Sequence, residues 1–311
     1  MSATITSSAP GSLMISGEHA VLHGRHALVG AVDQRVRVTL TPRADDTIRI
    51  RSALGERRMQ RTAIDASPPF TFIGAALAQH AAALPGGCDI VVEADFPHDI
   101  GLGSSAAVTV AMLAALQVWC RGGRPASDPL RQEALQVVRS VQGMGSGSDV
   151  AASVFGGVVL YRMQHGVLER FIALPEIALV YAGYKTPTPD VVRRVEAGRH
   201  ADPAAFAALF ERFDHATLAA ASAWRTGDWS ALAGALSEGQ AVMVALGVCD
   251  EALAAIIAQM ERAPGMHAAK ISGSGLGDCV LGMGRLGPVD CTYRQIPVAL
   301  SARGVMVGED A

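Results

Sequence analysis

Lysine is almost missing from this chain: of 26 basic residues only Lys185 and Lys270 are lysines, and the rest are arginines. Against that habit each surviving lysine is a candidate for a task that suits a compact ammonium rather than a rigid guanidinium fork. Cysteine is sparse too. Cys88, Cys120, Cys249, Cys279 and Cys291 are odd in number and form no C-x-x-C pair, which argues against a disulfide framework or a zinc site and points to a reducing compartment, the cytosol. No run of about 18 uninterrupted apolar residues occurs, and the N-terminus lacks the basic start and apolar stretch of a signal peptide, so no membrane association is expected. The formal net charge of −3 leaves no basic excess for nucleic acid. There is no G-x-x-x-x-G-K-[ST] and no G-x-S-x-G, which excludes a P-loop enzyme and a nucleophile-elbow hydrolase.

What is present is apolar bulk. Half of the 311 residues are hydrophobic, enough for two cores of ordinary size. Strands are expected at 12–16, a short apolar run, at 35–40 and 47–51, where apolar and polar residues alternate, and again at 90–94 and 158–162. Helices are expected from Pro68 to about Leu84, over 108–120 and from Asp128 to Gln142. A strand at 179–182 opens a second region of alanine-rich helices at 203–224, 229–245 and 250–262. Strands at 267–272 and 279–283, a helix over 287–302 and a strand at 305–307 close the chain. Strands and helices mixed without strict alternation read as α+β. The expected division is 1–170 and 171–311. The alanine-rich helices either pack internally or form the face of a homodimer.

Three glycine- and serine-rich segments carry the chemistry. Pro97-His98-Asp99-Ile100-Gly101-Leu102-Gly103-Ser104-Ser105-Ala106-Ala107 lies between a strand and an apolar helix. Glycines let a backbone approach a ligand closely, and a helix N-terminus offers N–H groups and partial positive charge, so this is an anion site. Ser104 and Ser105 place hydroxyls where phosphate oxygens or a magnesium ion would sit. The loose dinucleotide fingerprint Gly101-x-Gly103-x-x-Ala106 fits less well, because Pro97 to Ile100 separate it from the strand and no acidic residue closes the next strand. In Gly143-Met144-Gly145-Ser146-Gly147-Ser148-Asp149, Asp149 is either a helix-start residue or a base for an attacking hydroxyl. Lys270-Ile271-Ser272-Gly273-Ser274-Gly275-Leu276-Gly277-Asp278-Cys279 holds more glycine than a simple hairpin needs.

With Ala9-Pro10-Gly11-Ser12-Leu13-Met14-Ile15-Ser16-Gly17-Glu18-His19-Ala20-Val21-Leu22-His23-Gly24, these segments resemble, in order, the motifs of the GHMP kinases, named for galacto-, homoserine, mevalonate and phosphomevalonate kinases. The Gly-Glu-His-Ala-Val-x-His-Gly wording is most similar to the mevalonate kinase branch. The resemblance spans residues 9 to about 283. It implies an N-terminal ribosomal-protein-S5-like domain, a ferredoxin-like C-terminal domain, and transfer of a phosphoryl group from ATP, with Mg2+, to the 5-hydroxyl of mevalonate in isoprenoid biosynthesis. By the same resemblance Gly101, Leu102, Gly103, Ser104, Ser105 and Ala106 would hold the nucleotide, with Ser105 near the metal. Asp149 would activate the acceptor hydroxyl. Glu18, His19, Gly273 and Ser274 would frame the acceptor pocket.

The chain departs from the family pattern twice. The lysine that follows Ala-Pro-Gly is replaced by Ser12, and a metal-binding glutamate about eleven residues before the aspartate is replaced by Val138. The metal would lean on Ser105, phosphates and water, or on another acid such as Glu133. Lys185, in Tyr184-Lys185-Thr186-Pro187-Thr188-Pro189, is the candidate to restore the missing charge, with Thr186 and Thr188 as acceptor contacts or simply turn residues. The Gly-Ser-Gly-Ser-Asp wording also resembles phosphomevalonate kinases, whose already phosphorylated acceptor would need Arg139, Arg193 and Arg194 in the pocket. A non-catalytic nucleotide sensor is the remaining alternative.

Overall fold

The computed structural model describes residues 3–97, 100–288, 291–308 and 311; His98 and Asp99 of the first glycine-rich segment lie outside them. Alternating β-branched residues build a first sheet of eight strands. Its strands are β1 (Ile5–Ser16), β2 (His26–Pro42), β3 (Thr47–Ser52), β4 (Gly55–Gln60), β5 (Cys88–Ala94), β6 (Val158–Arg162), β7 (Gly166–Phe171) and β12 (Met306–Val307). The order is β12-β1-β2-β5-β3-β4, with β6 also on β2 and β7 beyond it. The long β2 makes this branching possible: its first residues pair with β6 and its last with β5. Val36, Val38 and Leu40 turn inward while Arg37 faces water, the period-two pattern of a sheet with one buried face.

Four helices cover that face: α1 (Thr71–His80), α2 (Ser104–Arg121), α3 (Ser127–Gln142) and α4 (Ser148–Phe155). Helix α2 is long and apolar enough to cross a membrane by length and composition. Its residues Val110 to Leu116 are nevertheless all buried between sheet and helices. Each turn that matters ends in a glycine at positive φ, which relieves the steric cost a Cβ would carry there.

A second sheet, β11-β8-β10-β9, is formed by β8 (Ile177–Lys185), β9 (Met266–Ser272), β10 (Gly277–Gly284) and β11 (Arg294–Ile296). Helices α5 (Thr188–Ala201), α6 (Pro203–Thr226), α7 (Trp229–Ala245) and α8 (Glu251–Glu261) pack around it. Asp202, Asp228 and Asp250 cap α6, α7 and α8 by accepting a backbone N–H three residues on. The two halves share one continuous apolar layer, in which Leu13, Ile15 and Leu28 meet Trp224, Leu236 and Leu281.

The helix expected over 287–302 is absent from its described residues; Val289 and Asp290 lie outside them. Pro288 and Pro297 interrupt the segment, and Arg294–Ile296 pair instead as β11 with β8. The chain passes from the first sheet to the second between Phe171 and Ile177, and its end returns: β12 pairs with β1, and Leu300 bridges Val32. Residues 300–307 therefore lie on the first sheet, although the expected division counted them with the second half.

Candidate active site

The three glycine-rich segments and the start of the chain converge on one cleft of about 560 Å3 between the halves. The first segment reaches it because Gly101 and Gly103 adopt φ of +73° and +62°, turning the chain into α2. Ser12 N donates to Leu102 O at 3.0 Å, pinning this loop to β1. Gly103, the N-cap of α2, has no side chain of its own to cap the helix. First-turn amides of a helix have no intrahelical acceptor, and Ser104, Ser105 and Ala106 of this first turn line the cleft.

The second segment ends at Gly147, φ +87°, which starts α4 with Asp149 in its first turn. Tyr161 Oη donates to Ser146 O at 2.7 Å and holds that turn on the sheet. Asp149 Oδ1 accepts a hydrogen bond of 2.9 Å from Ser12 Oγ. Burial pushes the Asp149 carboxyl above its usual range; the Ser12 bond and the Lys185 charge pull it back, and Asp278 adds repulsion.

The third segment joins β9 to β10 through Gly273, Gly275 and Gly277, all at positive φ. Ser272 Oγ donates to Met14 O at 2.8 Å, tying this turn to β1. Ser274 O accepts from His19 Nε2 at 2.9 Å, a contact that requires the Nε2–H tautomer. Burial lowers the His19 pKa, so the ring in the cleft wall is neutral. Glu18 lines the same wall and is paired with the fully buried Lys270, whose ammonium also donates to Ile271 O.

Of the residues singled out in the sequence, Glu18, His19, Gly101 to Ala106, Asp149, Lys185, Thr188, Gly273 and Ser274 all face this cleft. Thr186 does not. Its hydroxyl donates to Leu276 O at 2.6 Å, so it braces the third turn from behind. Glu133 is also elsewhere: it accepts from His80 and Gln117 between α1, α2 and α3. Val138 lines the cleft as an apolar residue. Arg193 and Arg194 are exposed on α5, and Arg139 donates to Gly145 O outside the lining.

Sequence reading missed two parts of the site. Ser12 was legible only as a lost lysine, not as the partner of Asp149. Asp278 was passed over although it sits within the third segment; it is buried and forms an ion pair of 3.0 Å with Lys185. The one available signal was a charged residue inside a glycine-rich turn.

Fold and site thus define a class: the protein is a small-molecule kinase. The family description "GHMP kinases N terminal domain" matches residues 71–157, and "GHMP kinases C terminal" matches residues 206–295. The mevalonate kinase of Archaeoglobus fulgidus is 33% identical over 276 residues, covering 89% of this chain and 91% of the relative. That of Aeropyrum pernix is 31% identical, covering 91% and 89%. Among solved structures, the Methanococcus jannaschii mevalonate kinase superposes with a TM-score of 0.81 at 19% identity, covering 95% of this chain and 98% of that one. The chain belongs to the GHMP kinase family.

Proposed function

We propose that this kinase moves the γ-phosphoryl group of ATP onto the 5-hydroxyl of mevalonate, giving 5-phosphomevalonate for cytosolic isoprenoid synthesis. In this reading residues 1–170 hold the nucleotide and residues 171–311 complete the acceptor pocket. The observation that carries it is the Ser12–Asp149 pair, which aims a carboxylate with a raised pKa at the cleft that the loop 101–106 enters. A base whose pKa is raised toward neutrality is the better proton acceptor, provided it is ionised at working pH.

The residues fit a nucleotide triphosphate with a hard cation. A Cβ on Gly101 or Gly103 would collide with Asp278 or Ser12, so only glycine lets the loop pack this closely and bring bare backbone to the cleft where the phosphates would lie. Ser105 would hold Mg2+; the described residues contain no cluster of three acidic, histidine or cysteine ligands, so phosphates and water would complete its shell. Such an ion supplies charge neutralisation at the phosphates. Asp149 takes the proton of the acceptor hydroxyl as its oxygen bonds to the γ-phosphorus and ADP departs. Lys185 offsets negative charge on the transferred group. The work is chiefly positioning and electrostatics.

Mevalonate suits the lining better than its phosphate. No arginine lines the cleft among the described residues, and its one lysine, Lys185, is taken up by the transferred phosphoryl group in this reading, leaving no further cation for a second phosphate. Met14, Leu22 and Val192 offer apolar contact to a short branched acid. Glu18, His19, Thr188, Gly273 and Ser274 frame that acceptor.

The test is ADP release with Mg-ATP and a panel of mevalonate, phosphomevalonate, galactose and homoserine, with phosphorus NMR of the product. Mevalonate 5-phosphate is expected, with kcat lowered at least a thousandfold in Asp149→Asn. Turnover of phosphomevalonate alone would replace the acceptor. ATP binding without turnover would make the protein a sensor.

A further inference from the structure

Asp278 has no part in the proton transfer just described, yet its placement is costly. It sits at φ +71°, in the left-handed region that residues with a Cβ seldom occupy. Its residue exposure is 6%, and burial raises its pKa against the pull of Lys185. Oδ2 takes Lys185 Nζ at 3.0 Å, while Oδ1 has no hydrogen-bond partner of ordinary N–H or O–H type among the described residues. A Cβ on Gly101 would fall 2.1 Å from Oδ1, so the carboxylate lies directly against the glycine-rich loop.

A buried carboxylate beneath a loop that receives phosphates is repelled by them unless its charge is cancelled. Lys185 cancels it. The lysine side chain keeps a third of its surface exposed, and its charge also reaches Asp149. An unanchored four-carbon stem loses considerable rotamer freedom when its ammonium is fixed. An anchoring carboxylate removes that loss from the reaction step.

Resting on the phosphoryl-transfer reading above, we propose that Asp278 is a positioning residue that anchors the Lys185 ammonium beneath the glycine-rich loop. The ammonium so held takes the place of the lysine that the first motif lacks at Ser12, presenting oriented N–H donors rather than net charge. Gly101 is part of the device, because any side chain there would displace the carboxylate. Lys185 is suited to it because a single ammonium presents N–H groups to Asp278 and to incoming phosphoryl oxygens at once.

The test exploits the two-lysine composition, since Lys270 is fully buried and Lys185 is the accessible amine. Acetic anhydride at limiting amount, with peptide mass spectrometry, reads Lys185 acylation without any turnover. Asp278→Asn is expected to raise that rate about tenfold. With mevalonate and ATP, Asp278→Asn should lower kcat about thirtyfold and leave the acceptor KM within twofold. Combined with Lys185→Ala it should cost nothing beyond Lys185→Ala alone. Asp278→Gly, which suits the left-handed backbone, gives the same readouts should Asp278→Asn fail to fold. Unchanged acylation, or losses that multiply in the double variant, would overturn the proposal. If the wild-type protein turns over no acceptor, the functional reading falls, and acylation still decides the role of Asp278.

Discussion

Ser12 Oγ donates to Asp149 Oδ1 across 2.9 Å, linking β1 to the first turn of a helix 137 residues later. The bond fixes the rotation of the carboxylate and favours its charged form. In the proposed reaction it is a functional contact, at the position where the resembled motif carries lysine. Ser12→Ala is expected to lower kcat about tenfold, the scale of one hydrogen bond to a charged group. The acidic limb of the profile supplies a second readout. As the proposed base, Asp149 must be ionised to act, and burial already raises its pKa, so activity is expected to fall as pH drops through that value. Losing the donor raises the pKa further, moving the limb to higher pH. A kcat–pH profile whose limb stays put would separate Ser12 from the titration of Asp149.

Gly103 tests the other side of the same serine. A Cβ there would lie 2.0 Å from Ser12 Oγ, and φ is +62°. Gly103→Ala should raise the ATP KM at least tenfold and weaken the Ser12–Asp149 bond. Gly123→Ala is the matched control: its φ of +78° is similarly left-handed, but no atom lies within 4 Å. Its expected cost is a backbone strain of about 1 kcal/mol with nucleotide binding intact. Nucleotide titration and thermal melts distinguish the two variants.

Local pattern was readable in this chain and long-range pairing was not. The strands around Val36 and Ile48, the helix after Ser104 and the glycine turns follow from periodicity and backbone freedom, which neighbouring residues dictate. The ferredoxin-like half and the family followed from motif resemblance. The contacts Ser12–Asp149 and Lys185–Asp278 depend on segments brought together only by the sheets. The segment after Gly287 reads as helical by composition, and β8 claims it as an edge strand instead. Thr186 carries the right chemistry for an acceptor contact, yet its hydroxyl serves a backbone carbonyl.

Lys270, the second lysine, serves the architecture. Its ammonium joins Glu18 of the first motif to the third motif at full burial. Glu18 Oε2 has no hydrogen-bond partner among the described residues, so the carboxylate depends on this ion pair. Lys270→Met leaves that charge buried without a counterion and should destabilise the fold by about 3–5 kcal/mol. Adding Glu18→Gln should recover part of the loss, because the uncompensated charge is then gone. Denaturant melts of the two variants give the comparison; equal stability would mean that burial of Glu18 charge is not what Lys270 offsets.

His80 and Glu133 do not line the cleft, and they predict the pH dependence of stability. The ring is buried, and hydrogen bonding to Cys120 and to Glu133 raises its pKa from 6.5 to about 9. The same ring holds the Glu133 carboxyl below its usual range. A raised histidine pKa means that the folded state keeps a proton which the unfolded chain releases near 6.5. Its stabilising share is complete below about pH 6.5 and is lost as pH rises toward 9. Glu133 acts at the other end of the scale: its lowered pKa contributes above its unfolded value and is lost in acid. The wild-type melting temperature should therefore fall between pH 6.5 and 9 relative to His80→Gln, whose side chain has no proton to release. Glu133→Leu, which strands the imidazolium, should cost about 3 kcal/mol at pH 6 and progressively less as the ring becomes neutral. A melting-temperature difference that stays flat across this window would show that the ring is neutral in the folded protein, and the ion pair would then have no part in holding α1 to α3.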